Sequence, residues 1–223
     1  MDKTAYGNLA KAWEYAEDEA LARQTRVLAD SRTLAAQAGM PQGSAAQAAF
    51  LRTMVRMAGA SSVIAVGTGA LVETIELVRG LDGAGQLTAV DSSTQGVALI
   101  RRAFARLEES TDTTLRAVNA PVGVFLPRLN GGMYDLIVVS GDAANYAPTF
   151  AQAPRLLRRG GAIVFLDVLA LGPGDSEGGV PNPADRGDKA TSMRALIEAV
   201  DTDDGFDASL APVGTGMLVV VRR

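Results

Sequence analysis

A chain of 223 residues with 48% hydrophobic but only 5% aromatic content makes its core from Ala, Val, Leu and Ile, which suits parallel strands covered on both faces by helices. Its net charge of −4, with arginines scattered rather than clustered, excludes a nucleic-acid backbone as the main partner and leaves a small ligand. Cys and His are both absent, which excludes disulfides, thiolate nucleophiles, Cys/His zinc sites and imidazole bases. Chemistry then falls to carboxylates, Tyr, backbone groups, the few lysines (Lys3, Lys11, Lys189) or a reactive cofactor.

Residues 8–38 carry apolar positions at helical spacing and predict one or two helices ending near Gly39, with Pro41 and Gly43 as the break and a further helix over about 44–58. This N-terminal arm, residues 1–60, is too thin to stand alone, so residues 1–223 are expected to form one domain with a core over 61–223. From Ser62 the pattern alternates. Strands are predicted at Val63–Val66, Gln86–Val90, Thr113–Val118, Tyr134–Val139 and Gly161–Leu166, with helices at Leu71–Arg79, up to Leu107, up to Leu129 and up to Arg158. Such alternation implies an α/β fold with a parallel sheet wound on both sides, whose ligands bind beyond the carboxyl ends of the strands.

The Gly-, Pro- and Asp-rich segment Leu171 to Asp188 has no periodicity and leaves from that edge, so it predicts a mobile lid. A helix over about 189–200 and two strands, Ala208–Pro212 and Met217–Val221, complete the chain; their short connection makes them an antiparallel hairpin. No apolar run nears the ~20 residues that span a bilayer. The acidic N-terminus (Asp2, Glu14, Glu17, Asp18, Glu19) is unlike a signal peptide. A cytoplasmic protein with no membrane partner is expected.

Gly67-Thr68-Gly69, at the end of the first strand, lets the backbone turn tightly and a ligand approach the main chain; the same residues also fit an ordinary strand-to-helix turn. Asp91 stands some two dozen positions later at the tip of the second strand, where an acid can accept both hydroxyls of a ribose. Asp91 or Ser92 can equally cap the helix that follows.

Tyr134-Asp-Leu-Ile-Val-Val-Ser-Gly-Asp-Ala-Ala-Asn-Tyr146 and Leu156-Leu-Arg-Arg-Gly-Gly-Ala-Ile-Val-Phe-Leu-Asp-Val-Leu169 resemble the fourth and fifth strands of the catechol O-methyltransferase-like family. The resemblance extends from Tyr15 to the final hairpin. It implies a Rossmann-like class I methyltransferase fold, with a mostly parallel seven-stranded sheet and a C-terminal antiparallel hairpin. It also implies S-adenosylmethionine as cofactor and a homodimer with the N-terminal helices near the site.

Several functional positions of the family have changed. The first-strand carboxylate falls on Ala65, the following glycine on Leu71, the adenine-reading acid on Asn119 beside Ala120, and the catalytic Lys on Ala143. The three Mg²⁺ ligands fall on Ser140, Leu166 and Asp167, a set too poor in oxygen donors for a hard cation, so no Mg²⁺ is expected. Asn119 either meets the adenine or serves the turn, and Ser140 stays among the cofactor contacts. Asp142 and Asp167 are the candidate bases, with Asp142 equally able to cap the Asn145-Tyr146 helix. Trp13 and Tyr6 either line the acceptor pocket or pack in the core or a dimer.

The sequence therefore predicts an O-methyltransferase acting on a small-molecule hydroxyl, metal-independent, with a non-catalytic relative of the same fold as the alternative. A nicotinamide-dependent oxidoreductase shares Gly-x-Gly and Asp91 but does not account for the terminal hairpin.

Overall fold

The computed structural model describes residues 3–40, 42–67, 71–172 and 177–223, with side chains from residue 7 onward. Helices α1 (Lys3–Ala22), α2 (Arg26–Gln37) and α3 (Ala45–Met57) precede the sheet. Ser44 caps α3, accepting from Gln47 N. Glu17 of α1 reinforces that cap by accepting from Ala45 N (2.6 Å), Ala46 N (3.1 Å) and the Ser44 hydroxyl (2.5 Å). A carboxylate from one helix thus satisfies the amides at the positive end of another.

The core alternates strand and helix: β1 (Ser62–Val66), α4 (Leu71–Leu81), β2 (Gln86–Asp91), α5 (Thr94–Leu107), β3 (Thr114–Asn119), α6 (Val122–Phe125), β4 (Tyr134–Val139), α7 (Tyr146–Leu156), β5 (Leu157–Leu166), α8 (Asp188–Asp201), β6 (Phe206–Ala211) and β7 (Met217–Arg222). The sheet runs β3-β2-β1-β4-β5-β7-β6. The first five strands in that order are parallel, and β7 is antiparallel to both neighbours.

Val63, Ala65, Leu136 and Val138 face a core layer formed with α2 to α5, while Ile64, Val66, Ile137 and Val139 face a second layer formed with α6 to α8. Burial on both faces explains why β1 and β4 are continuous apolar runs rather than alternating ones. No described helix is long and apolar enough to cross a membrane.

Two expectations need correction. The helix expected to reach Arg158 stops at Leu156, and β5 begins at Leu157, which pairs with Tyr134 before the register shifts to Leu136 with Ala162. Arg158 to Gly160 form the irregularity, with Gly160 at φ +72°, and Gly161 is packed so closely that a Cβ there would lie 2.9 Å from Arg158 O. Arg158 then pairs with Asp135, whose carboxylate also accepts from Ser61 N (2.7 Å), Ser62 N (2.9 Å) and the Ser61 hydroxyl (3.1 Å).

The segment 171–188 is not a free lid in its described part. Arg194 of α8 donates to the carbonyls of Gly179, Val180, Asn182 and Asp185, and the buried Asp185 accepts from Gly179 N and Gly187 N. Gly179, at φ +66°, lies so near the main chain that a Cβ would stand 2.2 Å from Leu169 O. Composition alone hid this pinning because the fastening side chain sits on the next helix; residues 173–176 lie outside the described residues.

Candidate functional site

The parallel register sets Val66 opposite both Val90 and Val139, so Gly67, Asp91, Ser140 and Asp167 all emerge at one edge of the sheet. Gly67 adopts φ +86°, and a Cβ there would lie 2.2 Å from Ser140 O. Only glycine fits both the left-handed turn and that approach. Thr68 and Gly69 lie outside the described residues, as does the side chain of Tyr6.

At the tip of β2 the helix cap is neither Asp91 nor Ser92. Ser93 caps α5, accepting from Gly96 N at 3.0 Å. The half-buried Asp91 accepts from Ser93 N through one carboxylate oxygen (2.9 Å), and Ser92 is exposed beside it. Asn119 serves the turn: its amide donates to Asp91 O and Ser92 O, both at 3.1 Å, and Ala120 N also donates to Asp91 O. These bonds commit the Asn119 amide hydrogens and the Ala120 N–H to the turn, so the direct contacts are those of the turn alternative.

Ser140 is buried, and its hydroxyl faces Val66 O (3.1 Å) and Gly67 O (3.0 Å). Its single proton ties β4 to β1. Asp142 is exposed and caps the short turn Ala143–Asn145 by accepting from Ala144 N at 2.8 Å. Its capping alternative therefore has the direct contact. Asn145 and Tyr146 brace the strand ends, donating to Ser140 O and Leu166 O respectively. Lys189, from the start of α8, reaches the same turn and donates to Gly141 O (2.8 Å) and Tyr146 OH (3.0 Å).

Asp167 follows β5 at φ +56°, and its carboxylate accepts from the Thr215 hydroxyl of the β6–β7 connection. A non-glycine residue in this region is strained, and such strain collects where geometry serves a site. The donor set does not fit a divalent ion: the Ser140 hydroxyl is engaged by the main chain, Leu166 is apolar, and Asp167 is the one carboxylate of the three. Among the described residues no group of three or more acidic, His or Cys side chains is placed to hold a metal.

Glu73, in the first turn of α4, is the group that reading the sequence missed. It is 5% exposed. Burial, with Asp167 and Glu17 adding repulsion, raises its pKa to about 7 despite its own backbone N–H and the Arg32 charge. Every residue from Leu71 to Val78 is buried, so Glu73 and Glu76 do not belong to a solvated face. Nearby, a cavity of about 500 Å³ is lined by Trp13, Glu17, Ser44, Pro212, Val213 and Gly214. Trp13 is 52% exposed at the rim of that cavity and is not part of the core.

The sequence profile of the O-methyltransferase family matches residues 16–223. Over 210 residues the chain is 30% identical to a Mycobacterium tuberculosis protein named "Probable O-methyltransferase Rv1220c", covering 94% of this chain and 90% of that protein. Two solved structures share the fold. A protein from Corynebacterium glutamicum gives a TM-score of 0.80 at 22% identity, covering 95% of this chain and 97% of that one. The O-methyltransferase from Bacillus cereus in complex with SAH gives 0.77 at 21% identity, covering 96% and 97%. With its Rossmann-like methyltransferase architecture and a profile match that spans all but the first turns of α1, the chain belongs to the O-methyltransferase family.

Proposed function

We propose that this chain is an S-adenosylmethionine-dependent O-methyltransferase that methylates a small-molecule hydroxyl without a divalent ion. The observation that carries the reading is Asp91. It stands at the tip of β2, at the same sheet edge as the Gly67 turn, and an acid at that position in this fold can accept ribose hydroxyls. The SAH complex of the Bacillus cereus relative supports the cofactor class.

When bound, the cofactor supplies a methyl group on a positively charged sulfur. The chain's own residues then do three things. Gly67 admits the ligand to the main chain, and Asp91 holds the ribose. Asp167 would take the proton of the acceptor hydroxyl, whose oxygen would receive the methyl group. In-line alignment supplies on the order of 7–11 kcal/mol of barrier reduction, which offsets the roughly 4 kcal/mol needed to ionise an ordinary phenol at neutral pH.

The apolar cavity beside the Asp167–Thr215 pair suits an acceptor with an apolar ring system resting on Trp13. A cytoplasmic homodimer belongs to the same proposal. Support for the dimer comes from exposed Leu9, Tyr15, Leu21, Val27 and Phe50 on α1 to α3.

Calorimetric titration with S-adenosylmethionine, with and without Mg²⁺, tests the reading. Binding indifferent to Mg²⁺ is expected. Asp91→Ala should weaken it about 10-fold to 100-fold, since hydrogen bonds to a charged group are each worth roughly 1.5–3 kcal/mol. No heat at millimolar cofactor would refute the proposal and leave a non-catalytic protein of this fold.

A further inference from the structure

Helices α3 and α4 cross so closely at Gly80 that a Cβ there would lie 2.7 Å from Val55 Cβ and 3.0 Å from Arg52 O. That approach brings Arg52 and Arg56, a helical turn apart on one face of α3, beside Arg79 in the last turn of α4. The three arginines border a cavity of about 660 Å³, bounded on its third side by the connection between α5 and β3. This hollow lies where the chain enters β2 and β3, at the end of the sheet opposite Gly67 and Asp91.

Its charge runs against that of the molecule. Among the described residues Asp82 is the one acid that lines the cavity, against three arginines, in a chain whose net charge is −4. Two of the guanidiniums have local roles. Arg79 pairs with the buried Glu76 at 2.9 Å, and Arg56 meets Asp82 Oδ1 at 3.0 Å and the Arg79 carbonyl at 3.4 Å, so both complement the carbonyl end of α4.

Arg52 has no such role. It stands more than a turn before the end of α3, and its Nη1 comes only to 3.5 Å from the same Glu76 Oε2 that Arg79 already holds, beyond hydrogen-bond length. Among the described residues its guanidinium makes no hydrogen bond, although the side chain is only 33% exposed. A guanidinium held in that way, with its fork unused and two more beside it, has the geometry to bind an oxyanion through paired N–H groups. Three forks spread around a hollow of ligand size suit an anion with oxygens on more than one centre, and Val78 and Leu107 add an apolar wall.

We propose that this hollow is a second ligand site, which takes a small anion carrying two or more phosphates, Arg52 and Arg79 gripping one phosphate and Arg56 the next. The site stands whether or not the chain transfers methyl groups, since none of these residues lies at the Gly67 edge.

Calorimetric titration of the full chain with sodium pyrophosphate, at constant ionic strength and without divalent ions, tests the site. One-to-one binding with a Kd below about 1 mM is expected, and inorganic phosphate, which fills one position only, should bind about 10-fold more weakly. Arg52→Gln, which leaves Arg79 to hold Glu76, should weaken pyrophosphate about 10-fold. Asp82→Asn should act the other way and tighten it about threefold, because it removes the one lining carboxylate and Asn tolerates the φ of +54° found there. Arginines that only complement helix ends would give no such gain, and a misfolded variant could not produce it. ADP titrated in parallel identifies the source: tighter binding than pyrophosphate, still lost in Arg52→Gln, means a phosphate ester resting on Val78 and Leu107, and equal or weaker binding means free pyrophosphate. No heat up to about 10 mM pyrophosphate, or an affinity that neither variant changes, overturns the inference and leaves the proposed function untouched.

Discussion

Replacing Glu73 by Gln should make the ligand-free protein more stable, and by an amount that depends on pH. The carboxyl's pKa rises from 4.5 to about 7 on folding, so the folded state holds its proton more tightly than the unfolded chain does. Well below pH 4.5 both states are protonated and the group costs little. As pH rises from 4.5 to 7 the unfolded chain ionises first, wild-type stability falls, and above 7 the loss levels off at about 3 kcal/mol. Gln has the same shape, keeps an acceptor, and carries no such cost. Urea unfolding at pH 8 should therefore show Glu73→Gln more stable by about 3 kcal/mol, or roughly 6–12 °C in Tm for a chain of this size, with the difference shrinking toward zero near pH 4.5. A difference that does not change with pH, or a less stable variant at pH 8, would refute the assignment of a buried, costly carboxylate.

Two other substitutions probe the frame around the site. Asp135→Asn should destabilise by about 3 kcal/mol at pH 7, because four donors converge on that carboxylate and an amide would turn hydrogens toward some of them. Burial pushes this carboxyl's pKa up, but Arg158 and the Ser61 and Ser62 amides outweigh it and hold it below 3.8. Its contribution is thus complete above that value and is lost as pH falls through the lowered one, so denaturation curves of wild type and variant should converge only in acid. Arg194→Ala should release the 178–187 segment: tryptic cleavage at Arg186 should accelerate while far-UV circular dichroism stays unchanged, and an unchanged cleavage rate would contradict the pinning role assigned to Arg194.

The alternation of strands and helices and the sheet covered on both faces could be read from the chain because β1, β2 and β4 are short runs rich in apolar residues and bounded by Gly, Asp and Ser. The start of β5 could not, since Leu156, Leu157 and two arginines continue the helical pattern and only pairing with Tyr134 marks the change. The position of Asp91 at the end of β2 was legible in the sequence. The tie that the Ser140 hydroxyl makes was not, because it hydrogen-bonds to main chain distant in sequence. The burial of Glu73 could not be read, because Gly43, which packs against it, comes about thirty positions earlier and acts by having no side chain.

The placement of β7 between β5 and β6 also fixes when the molecule can close. β6 is made before β7 but touches the sheet only through it, so while residues 217–222 are still within the ribosome, β5 presents an open edge and β6 has nothing to pair with. Ile163 and Phe165, at the centre of one core layer, border that edge. The nascent chain therefore exposes a long apolar strand until its final strand emerges, which is the interval in which an unpaired edge is open to joining another chain.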